Sequence, residues 1–171
     1  MKITKTEMDG LILLEPCSYQ DKRGCFYESW RQNEYKQVGI LEEFLQDNVS
    51  ISYKNVLKGM HLRKDQGQLV TVVHGKIYDV AVDLRENSKN YKKYFAIELE
   101  GENPKQLYMP PGFAHGFCVL SEIAIINYKC TQYYDSSYEE GIRWDDPQLN
   151  IAWPGKEFII SDRDLKLDLL Q

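Results

Sequence analysis

Short runs of alternating apolar and polar residues, punctuated by Gly, Pro, Asn and Asp, cover most of this chain. The clearest lies between Leu69 and Arg85, where LVTVV and KIYDVAVDLR flank His74-Gly75. Two β-rich runs around such a pair predict a tight hairpin, although His is not the favoured partner for Gly there. In the second run Tyr78, Val80, Val82 and Leu84 alternate with Ile77, Asp79, Ala81 and Asp83, which predicts one apolar and one mixed face. Further strands are expected at 10–16, 23–30, 44–52, 55–62, 93–100, 105–109, 116–120 and 123–134. Helical signals are scarce: a short helix over 31–38, stopped by Gly39, and a helical turn near 162–167. Many short strands separated by turns predict an all-β sandwich or barrel, with a jelly roll as the expected form and the short helices at its periphery. No repeat, low-complexity tract or linker interrupts the pattern, so one domain over residues 1–171 is expected.

A chain of 171 residues is long enough for one good hydrophobic core. Its 12 Tyr, 6 Phe and 3 Trp suit sheets and ring-stacking pockets better than helical bundles. A formal net charge of −5 argues against a general polyanion-binding face, and so against a nucleic-acid partner. It leaves room for a local basic pocket around one small anion. Cys17, Cys25, Cys118 and Cys130 show neither CxxC spacing nor the clustering of a disulfide framework, and are read as small buried hydrophobes. The opening MKITKTEMDG has no apolar signal core, and no later run approaches the ~20 apolar residues of a membrane span. A soluble, cytoplasmic protein with no membrane partner is expected.

Two features invite a metal. Pro110-Pro111-Gly112-Phe113-Ala114-His115 fits the second half of the cupin signature, P-x-G-x-x-H, and His61 stands where the first half would begin. That first half asks for H-x-H and a nearby Glu, whereas the chain reads His61-Leu62-Arg63-Lys64-Asp65-Gln66. A guanidinium has a fixed charge and no lone pair to donate to a cation. With 3 His in the chain and His74 assigned to a turn, the donor set is poor, so neither a metal nor another cofactor is expected. His115 reads equally as a satisfied turn or core histidine and as a substrate contact.

Acid–base chemistry is the alternative source of function. Period-2 alternation puts Leu57, Gly59, His61 and Arg63 on one side of their strand, with Gly59 leaving room beside the imidazole for a ligand. In IINYKCTQYY the same rule puts Ile126, Tyr128, Cys130, Gln132 and Tyr134 on one face. Alone, each reads as a barrel residue. If Tyr128 and His61 line one cavity, they form an acid and a base on opposite sides of a ligand. Asp164, in ISDRD, is the candidate to orient His61, fix its tautomer and stabilise the imidazolium, with Asp162 competing for the role.

The chain resembles the dTDP-4-dehydrorhamnose 3,5-epimerase family nearly from end to end. The resemblance runs through DKRGCFYE (21–28), FLQDN (44–48), NVLKGMH (55–61), GKIYDVAVDLR (75–85), MPPGFAHGFCVLSE (109–122), YKCTQYY (128–134), IRWDDP (142–147), IAWP (151–154) and ISDRD (160–164). It implies a cupin-like jelly-roll homodimer without metal or cofactor, acting on a nucleotide-diphosphate sugar. The implied reaction is epimerisation at C3, C5 or both of a dTDP- or GDP-linked 4-keto-6-deoxy hexose or heptose, through an enolate. By position, His61 matches the family's base, Asp164 its partner and Tyr128 its acid. Arg163 matches a pyrophosphate contact, Arg23, Glu28, Gln46 and Asn48 match nucleotide- or sugar-contacting positions, and Tyr134 matches the substrate pocket.

Two positions depart from the family's pattern. Lys58 stands where the family has Arg, keeping the charge but losing the bidentate fork. Gln68 stands where the family has a lysine that would stabilise the enolate oxygen at C4. An amide donates a hydrogen bond but no full charge. These departures imply a shifted substrate or a restricted outcome such as C3-only epimerisation. A 3,4-ketoisomerase of the same substrates and a sugar-nucleotide binding protein with impaired catalysis are the competing readings.

Overall fold

The computed structural model describes residues 1–170. Its strands are β1 (Lys2–Lys5), β2 (Ile12–Glu15), β3 (Ser18–Asp21), β4 (Gly24–Tyr27), β5 (Gln46–Tyr53), β6 (Leu57–Leu62), β7 (Gln68–His74), β8 (Lys76–Asp83), β9 (Tyr94–Glu100), β10 (Gln106–Met109), β11 (Phe113–Val119), β12 (Ile123–Cys130) and β13 (Glu140–Gly141). One short helix, α1 (Gln32–Gln37), follows β4, and 3₁₀ turns lie at Ser136–Tyr138 and Asp164–Lys166. The strands form a six-stranded sheet (β1-β2-β10-β7-β12-β5) and a five-stranded sheet (β13-β6-β11-β8-β9). All named pairings are antiparallel. The result is the expected all-β, cupin-like jelly roll with short peripheral helices. Among the described residues no helix is long and apolar enough to cross a membrane.

Apolar burial explains why two sheets form. Their facing sides share one core, in which Val70, Val72, Leu107 and Ile126 meet Ile77, Ala81, Phe117 and Val119. The outer side of the five-stranded sheet is also covered, with Met60, Leu62, Val80 and Val82 packing under Ile142 and Leu149. Behind the six-stranded sheet, Leu14, Leu69 and Tyr108 pack on Tyr35 of α1 and on Ile40.

Two expectations need correction. First, β7 and β8 do not pair: β7 sits between β10 and β12, and β8 between β11 and β9. His74-Gly75 is therefore a corner between sheets. A glycine between two alternating runs serves either purpose, and the choice lies in what covers each face. Gly75 has φ +76°, and an added Cβ would lie 2.0 Å from the Ile123 carbonyl oxygen. The two faces of β8 are as expected: Tyr78, Val80, Val82 and Leu84 join the outer cluster, and Ile77 and Ala81 join the inner core on the side that also carries the fully buried Asp79 and Asp83. Second, Cys118 and Cys130 are buried, but Cys17 and Cys25 are exposed. Cys25 lies on β4, which pairs only with β3 as a hairpin outside both main sheets.

Candidate active site

The two sheets enclose a cavity of about 610 Å³. β5 contributes Gln46, Asn48 and Ser50 to its wall; β6 contributes Lys58 and His61; β7 contributes Gln68; β11 contributes His115; and β12 contributes Tyr128 and Cys130. Tyr134 closes one side. His61 and Tyr128 thus reach one space from opposite sheets.

Strict alternation along β6 fails. His61 pairs with His115 and Lys58 with Phe117, so three steps on β6 match two on β11. This irregularity re-aims side chains. Lys58 faces the cavity beside His61, while Leu57 and Gly59 do not line it. Gly59 makes room for β11 and not for a ligand: its φ is +120°, and an added Cβ would lie 2.6 Å from the Gly116 Cα.

The His61 Nε2 lies 2.8 Å from Asp164 Oδ1, and Asp164 Oδ2 accepts the Gly59 N–H at 3.1 Å. The Asp164 side chain is only 5% exposed, whereas Asp162 is exposed. Burial pushes the Asp164 carboxyl up, but the hydrogen bond and charge of His61, with the Gly59 N–H and Ser161, outweigh it and hold the group below its ordinary value. An ionised carboxylate accepts only, so Nε2 carries the proton and Nδ1 keeps its lone pair.

Across the cavity, burial raises the Tyr128 phenol, helped by Cys130 and Glu139. The phenol therefore holds its proton at neutral pH and is able to donate it.

A second imidazole–carboxylate pair stands beside the first. The His115 Nε2 lies 2.7 Å from Oδ1 of the fully buried Asp79. Asp79 is a partner that no motif announces. Its signal was a carboxylate midway along a buried run, where an unpaired charge is costly. Phe117 pairs with Asp79, which puts His115, two residues earlier, on the same face and diagonal to that carboxylate.

The remaining polar wall is held by its own contacts. Lys58 Nζ donates to Ser50 Oγ at 2.9 Å, linking the two sheets. Gln46 donates to Asn48 at 2.8 Å and accepts the Tyr134 N–H at 2.8 Å. Gln68 Nε2 donates to Gln66 Oε1 at 3.1 Å, and Gln66 in turn donates to the Gln132 carbonyl at 3.2 Å. Because a backbone carbonyl only accepts, this relay fixes both amides, and it leaves the buried Gln68 Oε1 without a protein donor.

Arg163 is not on the wall; it pairs at 2.6 Å with Glu139, which is. Arg63, on the His61 side of its strand by alternation, has a place of its own in the site. Arg63 lines the cavity, pairs with Asp65 at 2.8 Å and lies 5.6 Å from the centre of the Tyr138 ring. Arg23 and Glu28 stand apart from the cavity: Arg23 pairs with Asp21 on the β3–β4 hairpin, and Glu28 with Arg31. Among the described residues no three His, Cys, Asp or Glu side chains gather as a metal site.

A cupin-like barrel whose cavity is lined by an imidazole–carboxylate pair facing a tyrosine has the side chains that proton transfer at a bound ligand, the chemistry of an isomerase, requires. Residues 5–171 match the sequence model described as dTDP-4-dehydrorhamnose 3,5-epimerase, and the chain belongs to that family. A dTDP-4-dehydrorhamnose 3,5-epimerase of Methanothermobacter thermautotrophicus is 44% identical over 168 residues, which span 95% of this chain and 91% of that protein. The crystal structure of dTDP-6-deoxy-D-glucose-3,5-epimerase from Legionella pneumophila, in complex with dTDP-4-keto-L-rhamnose, is 44% identical. It superposes with a TM-score of 0.95 over 98% of this chain and 92% of its own. A 3′-monoepimerase of Streptomyces bikiniensis, solved with dTDP-quinovose, is 28% identical with a TM-score of 0.90, covering 96% of this chain and 85% of its own.

Proposed function

We propose that this epimerase acts on a dTDP-linked 4-keto-6-deoxyhexose, with His61 as base, Asp164 as its orienting partner and Tyr128 as acid. The observation that carries the reading is the approach of His61 and Tyr128 to one cavity from opposite sheets. The 4-ketone acidifies the neighbouring C–H bonds. Nδ1 of His61 takes the proton, and the C–H electron pair moves into the ring, forming an enolate with its charge on O4. Asp164 stabilises the resulting imidazolium. The enolate then collapses, and carbon takes the phenolic proton of Tyr128 from the other face. The configuration inverts, and solvent restores both groups. His115 and Gln68 sit beside the reacting ring, while Lys58 supplies charge for the diphosphate from the wall and Arg163 does so once it turns from Glu139. The relatives' thymidine nucleotides support the dTDP form, and the GDP alternative has no support among them.

The proposed working unit is a homodimer. The hairpin exposes Tyr19 at 68% and Phe26 at 66%, and the edge strand β5 exposes Val49, Ile51 and Tyr53. Apolar faces of this kind call for a cover. Val49 and Ile51 also line the cavity, so a second copy's hairpin lying there brings its Arg23 and Glu28 to the ligand. Exposed free thiols at Cys17 and Cys25 fit a reducing cytoplasm.

Incubation with a dTDP-4-keto-6-deoxyhexose in deuterium oxide, followed by NMR, tests the reaction. Deuterium entering C3 or C5 with inversion and a carbonyl kept at C4 is expected. Migration of the carbonyl to C3 identifies a ketoisomerase, and no exchange at either carbon identifies a binding protein.

A further inference from the structure

The IRWDDP segment (142–147) follows β13, yet none of its residues lines the cavity. Its inner carboxylate, Asp146, is 2% exposed. Asp146 Oδ1 accepts the N–H groups of Gln148 at 2.7 Å and Leu149 at 3.2 Å. These bonds are local and shape the loop. Oδ2 does something different: it accepts the N–H of Leu170 at 2.6 Å, reaching the end of the described chain. Gln148 Nε2 then donates to the Leu170 carbonyl at 2.7 Å, and the Arg143 N–H to the Asp168 carbonyl at 2.9 Å.

This tie bears on the His61 pair because Asp164 belongs to the same tail. The tail is anchored on its other side by Ile159, which bridges to Val56 and accepts the Leu57 N–H at 3.0 Å. Between these anchors the tail is held by the Asp164 bonds themselves, by the Arg163–Glu139 ion pair at 2.6 Å and by Leu167 against Gly141. Ser161, Asp162, Arg163, Leu165 and Lys166 are exposed, and regular structure is limited to the 3₁₀ turn over Asp164–Lys166. Ordering a backbone costs about 1–2 kcal/mol per residue, so a segment with one regular turn depends on its end contacts as well. The loop carrying Asp146 is itself registered to the site, since Gly141 of β13 pairs with His61 of β6.

We infer that Asp146 is a positioning residue: by clamping Leu170 it fixes the tail at the distance that sets the His61–Asp164 hydrogen bond. This rests on the reading of His61 as the base. Asp146 touches no reacting atom. It joins the loop beside His61 to the tail that carries Asp164, so that both halves of the pair move as one body. A misplacement near 1 Å at a reacting group can cost about 100-fold, so a clamp far from the chemistry can govern turnover.

Two variants test this. Asp146→Ala removes every contact of the carboxylate. Leu170→Pro removes the N–H that Oδ2 accepts and leaves the Gln148 and Leu149 bonds in place, with Leu170→Ala, expected to match wild type, as the control for the Leu170 side chain packed on the outer core. Turnover and KM are measured on the dTDP-4-keto sugar. In parallel, the His61 Nε2–H proton is followed by NMR on ¹⁵N-histidine protein, where 3 His keep assignment simple. Asp146→Ala and Leu170→Pro are each expected to lower kcat about 10- to 100-fold, with KM within about twofold because the wall residues stay put. The His61 Nε2–H resonance should broaden or shift, and neither variant should lower kcat further in an Asp164→Asn background. A folded Leu170→Pro protein with unchanged kcat and an unchanged His61 resonance overturns the proposal. The resonance reports positioning without reference to turnover. If His61→Asn keeps its activity, the base assignment fails, and the resonance still decides whether Asp146 holds the pair.

Discussion

Replacing Asp164 by Asn is the most informative change to the base. The carboxylate accepts from His61 Nε2 at 2.8 Å and from the Gly59 N–H at 3.1 Å. An amide has one acceptor oxygen, so one of these donors meets an NH₂ group instead. Hydrogen bonds to a charged group contribute about 1.5–3 kcal/mol. At about 1.36 kcal/mol per decade, losing that support where imidazolium forms lowers kcat roughly 10- to 150-fold. KM should hardly change, because Asp164 lies behind the imidazole and away from the ligand. The assay is deuterium incorporation at C3 and C5, followed by NMR under saturating substrate, in Asp164→Asn, His61→Asn and the double variant. The two single effects should not add, since both act through one imidazole. The pH dependence of stability has a definite sign. Asp164 titrates below its ordinary value in the folded protein, so its contribution is complete above the unfolded pKa of about 3.9. It is lost as pH falls through the lowered folded value. The Tm gap between wild type and Asp164→Asn should therefore be widest near neutrality and close in acid. Unchanged kcat in Asp164→Asn, or fully additive losses in the double variant, refutes this account of the pair.

Other residues give sharper single outcomes. His61→Asn should lower exchange at both carbons about 10²–10⁴-fold with an unaltered circular dichroism spectrum; near-normal exchange removes it from the mechanism. Gln68 offers O4 only a neutral amide, so epimerisation at C3 should outpace that at C5. Gln68→Lys should speed the slower step, because charge-assisted hydrogen bonds are roughly twice as strong as neutral ones; equal natural rates and no response show that the position is structural. Gly59→Ala combines a positive φ with a contact of 2.6 Å to the Gly116 backbone. The two costs together come to about 2–5 kcal/mol, or a Tm lower by about 5–20 °C in thermal melts, and a Tm within a few degrees of wild type contradicts the close packing of β6 on β11.

Much of the barrel was legible because its strands are short, apolar and punctuated. The helix over 31–38 and the turn near 162–167 also lie where α1 and the final 3₁₀ turn are found. What alternation does not carry is pairing. Leu69–Arg85 reads as a hairpin because a glycine corner between sheets has the same local chemistry. Lys58 and His61 share a face only because β6 carries one more residue than β11 between their partners, and that lies in the pairing of two distant segments. Asp79 was visible as a buried-run carboxylate, but its partner is 36 residues away. The first strand, with four exposed residues from Lys2 to Lys5, has no apolar face to announce it. Asp164 could be named from its motif, while the clamp behind it required the tail's hydrogen bonds.

Inversion requires a base and an acid working from opposite faces of one sugar ring. The most direct measurement compares wild type and Tyr128→Phe on a dTDP-4-keto-6-deoxyhexose in deuterium oxide, recording exchange and inversion at C3 separately by NMR. With His61 intact and the opposing donor gone, the enolate should still form and be reprotonated from the side it left. Exchange should persist while inversion falls sharply. Inversion by Tyr128→Phe at the wild-type rate contradicts the arrangement and hands the acid role to another cavity residue, with Tyr134 the first to examine.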